Sequence, residues 1–146
     1  VNIWRRSYAT PPPDCDEDSE HAPSNDPKYD GMPEAQKIRA ESLSTTLDRV
    51  LPYWDKEIVP TIKSGKKVLI AAHGNSLRAL VKHLDGISED TIAGLNIPTG
   101  VPLVYTLDED MRPVKSPRSM GELSGEYLGD QDAIRARIEG VKKQTG

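Results

Sequence analysis

The run Val68-Leu69-Ile70-Ala71-Ala72, closed by His73 and followed by Gly74-Asn75-Ser76-Leu77-Arg78, constrains this chain more than any other segment. A β-branched apolar run bounded by glycine reads as a buried strand, and Leu77, Leu80, Val81 and Leu84 beyond it recur at helical spacing. His73 then stands where the carboxyl end of a strand meets a helix N-terminus, the position at which α/β proteins hold anions. Such a place suits phosphate chemistry.

Helix-forming sequence also precedes the run. Between 34 and 64, Leu43, Leu47, Val50, Leu51, Trp54, Ile58 and Ile62 recur every three or four residues, the period of a helix with one buried face. Pro52 and Pro60 interrupt it, so a kink near Pro52 or two helices are expected, ended by Gly65. Helix, strand, helix with a wholly apolar strand predicts an α/β fold whose sheet is covered on both faces and at least partly parallel. Strands are too few for this. Residues 66–72 need neighbours on both edges, and missing sequence or another chain is expected to supply them.

Beyond Gly86, Ser88 is placed to cap a short helix carrying Ile92 and Leu95. Residues 101–107 read as a strand, Asp108-Glu109-Asp110 as a turn and 112–115 as its hairpin partner. Residues 116–129 read as loop, and Asp130 as the cap of a last helix over 130–144 with Ile134, Ile138 and Val141 on one face. The stretch 9–33, which contains Pro11-Pro12-Pro13 and the acidic residues Asp14, Asp16, Glu17, Asp18 and Glu20, reads as a long solvated surface loop, either a lid or a plain connection.

Composition narrows the function. A chain of 146 residues is long enough for one domain, but only 36% of it is hydrophobic and it has no Phe, so part must be loop. The net charge of −4 argues against general binding of nucleic acid or of a membrane surface, both of which need a basic footprint. A lone cysteine, Cys15, forms no internal disulfide, and with neither a signal peptide nor a membrane span in view a cytoplasmic location is expected. The chain starts at Val1 within a structured-looking segment, which raises the expectation of a fragment of something longer.

The site residues follow from the chemistry of anions. An imidazole at position 73 can donate to a phosphoryl oxygen, the backbone N–H groups of Gly74 and Asn75 are expected to point at the same anion, Gly74 permits close approach, and the Asn75 side-chain amide adds a donor. Arg5 and Arg6 offer forked contacts suited to phosphate and carboxylate. Each residue alone has a plainer reading: a packed histidine, a solvated arginine pair. His83 and His21 are expected at the surface. Gly65-Lys66 lacks the rest of a P-loop, Gly74-Asn75-Ser76 lacks the second glycine of a nucleophile elbow, and three scattered histidines with one cysteine have no metal-ligand spacing, so no metal is expected.

Several segments together resemble the cofactor-dependent phosphoglycerate mutases of the histidine phosphatase superfamily. These are Trp4-Arg5-Arg6-Ser7-Tyr8 with Pro11-Pro12-Pro13, Glu41-Ser42-Leu43, Val50-Leu51-Pro52-Tyr53-Trp54, the run from Val68 through Arg78, and Leu95-Asn96-Ile97-Pro98-Thr99-Gly100-Val101-Pro102-Leu103-Val104-Tyr105. The resemblance covers nearly the whole chain. It implies an α/β fold with a mostly parallel sheet covered by helices on both faces, of which residues 1–146 would be the C-terminal portion of one domain, with 34–115 its helix-strand-helix core and the first strand missing. It further implies interconversion of 2- and 3-phosphoglycerate through a phosphohistidine, primed by 2,3-bisphosphoglycerate without metal. His73 would be the second active-site histidine, and Arg5, Arg6, Gly74 and Asn75 would bind substrate. The family's nucleophile sits in an Arg-His-Gly motif that this chain lacks, so the expected partner is the N-terminal portion of the same enzyme, with a homo-oligomer also compatible. The chain alone is expected to be inactive. A bisphosphoglycerate mutase or phosphatase, and a non-catalytic phospholigand-binding fragment, stay open as alternatives.

Overall fold

The computed structural model describes residues 2–5, 7–33 and 37–144. Its element order is α1 (Asn2–Arg5), α2 (Leu43–Tyr53), a π-helical turn (Trp54–Ile58), α3 (Val59–Lys63), α4 (Gly74–Asp85), α5 (Glu89–Gly94), β1 (Leu103–Val104), β2 (Thr106–Leu107), β3 (Pro113–Val114), β4 (Glu126–Tyr127) and α6 (Gln131–Gln144). Among the described residues no helix is long and apolar enough to cross a membrane.

Helix boundaries follow from local chemistry. Ser42 opens α2 with a reciprocal capping box: its Oγ accepts from the Thr45 N–H at 3.2 Å while Thr45 Oγ1 accepts from the Ser42 N–H at 2.9 Å. The helix runs through Pro52 and then widens into the π-helical turn, where the Val59 N–H reaches back to the Trp54 carbonyl. Pro60 falls in the first turn of α3, which continues directly from the π-helical turn. Two α-helices are thus present, separated by a π-helical turn that begins two residues after Pro52. Gly65, at φ 83°, ends the stretch in the left-handed region.

Helix α4 ends the same way. Gly86 adopts φ 61°, and both its N–H and that of Ile87 close on the Lys82 carbonyl. Ser88 caps α5 by accepting from the Thr91 N–H at 3.2 Å, and Asp130 caps α6 by accepting from the N–H groups of Asp132 and Ala133, each at 2.9 Å.

The core lies between α2 and α4, which pack on each other, and extends to α5 and α6. Leu43 and Leu47 of α2 meet Ala79 and Val81 of α4, and Ile87, Ile92, Leu123, Tyr127 and Ile134 complete the cluster. Each large apolar side chain buried there contributes roughly 1.5–3 kcal/mol. The loop over 9–33 is locally ordered: Asn25 Nδ2 donates to the carbonyls of Glu17 and Ser19, and Arg39 clasps the Cys15 carbonyl through Nε and Nη2 at 2.9 and 2.6 Å. Asp14, Asp16, Glu17, Asp18 and Glu20 within it are exposed.

Two expectations need correction. Residues 66–72 form no ladder with any described residue; they run extended into α4 with Val68, Leu69 and Ile70 at 38%, 91% and 36% exposure rather than buried. An apolar strand is buried only when neighbours cover its faces, and here none does. The described strands are four pairs of residues joined as two antiparallel ladders, Leu103↔Tyr127 with Val104↔Glu126 and Thr106↔Val114 with Leu107↔Pro113, so the mostly parallel sheet is not formed among them. The second correction concerns 116–129. This segment is not wholly loop, because β4 returns to pair with β1, held by Ser116 Oγ and the Arg118 guanidinium on the Glu126 carboxylate.

The expected strand over 101–107 is split at Tyr105. Its hydroxyl donates to Asp85 Oδ2 at 2.5 Å, while the Ser124 N–H donates to Asp85 Oδ1 at 3.1 Å, so one carboxylate at the end of α4 joins it to both ladders.

Candidate functional site

The N-terminus of α4 carries the residues singled out from sequence. His73 is its N-cap, extended at φ −62° and ψ 147°, and its Nδ1 accepts from the Asn75 N–H at 3.3 Å. A ring nitrogen that accepts carries no proton, which puts the proton of the neutral ring on Nε2 and leaves that nitrogen as a donor. His73, Gly74 and Asn75 are all exposed, so this donor and the Asn75 amide face solvent.

Backbone donors add to them. Contrary to expectation the Asn75 N–H is not available to an anion, because it is spent on His73; Leu77 spends its own on the His73 carbonyl, whereas the N–H groups of Gly74 and Ser76 have no partner among the described residues. The first turn of α4 contains no acidic residue to compete for them. A Cβ at Gly74 would meet nothing within 4 Å, so glycine here keeps the approach to the helix end open. Positive dipole end, imidazole N–H, amide and free backbone N–H groups all belong to this exposed helix end, a donor set whose chemistry suits phosphoryl or carboxylate oxygens.

The expected roles of Arg5 and Arg6 lie outside the described side chains. Arg5 ends α1, but its side chain and the whole of Arg6 lie outside the described residues. Tyr8, two residues on, accepts the Ser44 N–H at 3.0 Å with its carbonyl, and Lys82 Nζ sits 4.5 Å from the centre of its ring. That anchors the chain to α2 and to α4, nine residues and about 14 Å along the axis from His73. A two-residue tether of up to about 7 Å then separates Tyr8 from Arg6.

His83 and His21 are exposed, as expected for surface residues. Among the described residues no group of three or more His, Cys, Asp or Glu is placed to hold a metal. The groups with shifted protonation lie away from His73: burial pushes the Tyr127 phenol up to about 12, and burial followed by the bond to Asp85 pushes Tyr105 above the ordinary phenol range. Sequence reasoning missed the Tyr8 anchor and the backbone donor of Ser76. It also missed Arg78, whose Nη2 donates to the Ile92 carbonyl at 2.5 Å and ties α4 to the end of α5. The first two carried a signal, an aromatic after Arg-Arg and the third position of a capped helix; the Arg78 contact spans fourteen residues and had none.

Fold and site together define a protein with an exposed helix mouth whose donors suit phosphoryl-type anions. The family model of the histidine phosphatase superfamily (branch 1) matches residues 13–116, a span that includes His73, Gly74 and Asn75 and leaves Arg5 and Arg6 outside it. The chain belongs to the histidine phosphatase superfamily, and the mixed helices and small antiparallel ladders are consistent with a fragment of that fold. Phosphatase- or mutase-type phosphoryl transfer is the chemistry this membership brings.

Proposed function

We propose that this chain supplies the His73 half of a phosphoglycerate mutase site, interconverting 2- and 3-phosphoglycerate in the cytoplasm once a nucleophilic histidine is brought to it. The observation that carries this reading is the His73 N-cap, with Nδ1 satisfied by the Asn75 N–H and Nε2 turned into a donor beside two free backbone N–H groups. Donors fixed before the reaction and aimed at equatorial oxygens are what phosphoryl transfer needs from a protein. Gly74 and Asn75 would hold substrate phosphate, and Arg5 and Arg6 would grip the ligand from the Tyr8 anchor. The donor set suits 2,3-bisphosphoglycerate as priming phosphoryl donor and requires no metal.

None of His21, His73 and His83 follows an arginine, so the chain has no Arg-His-Gly motif and the nucleophile is assigned to another polypeptide segment. The exposed 66–72 run supports that assignment: its apolar side chains and unpaired backbone suit strands added on both edges, which would complete the parallel sheet. We take the N-terminal portion of the same enzyme as that partner. A homo-oligomer is compatible with it.

The test has two parts. Labelled 2,3-bisphosphoglycerate added to this chain alone is expected to leave no phosphohistidine, and stable label on His73 would contradict its role. In the protein joined to its nucleophile-bearing portion, His73→Ala is expected to slow phosphoryl transfer by about two to three orders of magnitude, the cost of losing a preorganised donor. An unchanged rate removes His73 from the mechanism. The missing Arg-His-Gly motif favours a second reading for the chain by itself, a phospholigand-binding module; binding of 3-phosphoglycerate without turnover in the joined protein would select it. A ratio of phosphatase to mutase turnover above one would select the bisphosphoglycerate enzymes instead.

A further inference from the structure

A cleft of about 400 Å³ opens between the π-helical turn, α3, the C-terminal half of α4 and the hairpin tip that joins β2 to β3. It stands apart from the site above: His83, on its wall, lies ten residues beyond His73, about 15 Å along α4. Two backbone departures border it. Trp54 and Asp55 belong to the π-helical turn, and Met111 at the hairpin tip holds φ 64°, the left-handed region that a non-glycine residue enters only at a cost. Both kinds of departure concentrate where a fold holds a ligand.

The charges around the cleft are balanced and unpaired. Asp55 and Lys63 face it from one continuous helical stretch, and Asp110 and Arg112 from the hairpin tip; none of the four makes an ion pair among the described residues. Asp108 instead secures the tip, its Oδ1 accepting the N–H groups of Asp110 and Arg112 at 3.0 and 2.8 Å. Val59, Leu84 and Met111 contribute apolar surface between them. A simple anion here would meet two carboxylates, and a simple cation an ammonium and a guanidinium. A ligand bearing both signs avoids either conflict.

We propose that this cleft binds a small zwitterion of the amino-acid class with an apolar side chain, its carboxylate toward Lys63 and Arg112, its ammonium toward Asp55 and Asp110, and its hydrocarbon against Val59, Leu84 and Met111. The inference stands independently of the phosphoryl-transfer reading. Trp54, 4% exposed and part of the lining, is a built-in reporter once Trp4 is replaced by Phe. Titration of that variant with L-leucine is expected to give a saturable fluorescence change. The singly charged analogues 4-methylpentanoate and 3-methylbutylamine are each expected to bind about tenfold more weakly or worse, the loss of one charge-assisted contact. Arg112→Gln and Asp55→Asn, both at exposed positions and so expected to fold normally, should weaken L-leucine by a similar factor. His73→Ala should leave L-leucine binding unchanged while 3-phosphoglycerate binding falls, which separates the two sites. Absence of saturable L-leucine binding, equal binding of either singly charged analogue, or an unaffected Arg112→Gln variant would overturn the proposal.

Discussion

Helix α4 and the run that leads into it both carry apolar residues and adjoin each other in sequence, yet those residues end in opposite environments. Ala79 and Val81 are at most 4% exposed in the cluster they share with Leu43 and Leu47 of α2, whereas Leu69, ten residues before Ala79, is 91% exposed. An amphipathic helix makes its own backbone hydrogen bonds and needs only one neighbour for one face. An extended segment apolar on both sides makes none of its own and needs neighbours on two edges and two faces. The difference teaches that an apolar pattern states a demand for burial, and only the geometry of the element says how many partners must answer it.

The comparison is broken most severely from the buried side. Ile92 is 0% exposed at the centre of the cluster that joins α4 to α5, and Ile92→Ala should cost about 2–5 kcal/mol, read as a fall in the denaturation midpoint with an unchanged slope. A cost below 1 kcal/mol would mean that α2 and α4 are not held by this core. Asp85→Ala comes next. It removes the acceptor of the Tyr105 hydroxyl and of the Ser124 N–H, detaching α4 from both ladders, with an expected loss of about 2–3 kcal/mol. Asp85→Asn, which keeps an acceptor, should lose less.

These two positions also mark what the sequence could reveal. The ends of α4 and α5 were legible because their signals are local: Gly86 in the left-handed region, Ser88 three residues before the N–H it accepts. At the candidate site, His73, Gly74 and Asn75 were legible together because they are consecutive and the strand-to-helix pattern places them at a helix mouth. The tautomer of His73 was not, because it depends on the direction of one Asn75 N–H bond. The Asp85 junction was illegible for a different reason: its partners come from residues twenty and thirty-nine positions away, and no local pattern encodes such a meeting. β4 was missed because two residues between turns carry no alternation. The pattern of 66–72 demands burial and is silent on whether partners are at hand.

A smaller effect, of opposite sign, is expected at Tyr127. Its ring is 1% exposed, its hydroxyl has no partner among the described residues, and burial raises its pKa to about 12. Tyr127→Phe deletes an unpaired buried hydroxyl and should stabilise the protein by up to about 1 kcal/mol near neutral pH. The raised pKa means that folding favours the neutral phenol. The associated stability is fully present below the unfolded phenol value of about 10 and is lost as pH rises through about 12. The Phe variant should therefore lose less stability between those pH values than the parent. Equal alkaline losses would place the titration in Tyr105, whose phenol is raised further and is tied to Asp85.

The smallest expected effect is the most telling about the contrast between the two regions. Leu69→Ala removes the same three heavy atoms that are costly to lose in a core, but from a side chain that is 91% exposed, so in this chain it should change stability by no more than about 0.5 kcal/mol. In the protein joined to the portion proposed to carry the nucleophile, the same substitution should become costly, by about 2–5 kcal/mol, because Leu69 would then lie between added strands and a covering helix. The change in cost between the two backgrounds measures burial at this position without reference to activity. A cost near zero in both would leave 66–72 an exposed tether, and the imidazole at its end would then be aligned by the N-cap bond to Asn75 alone.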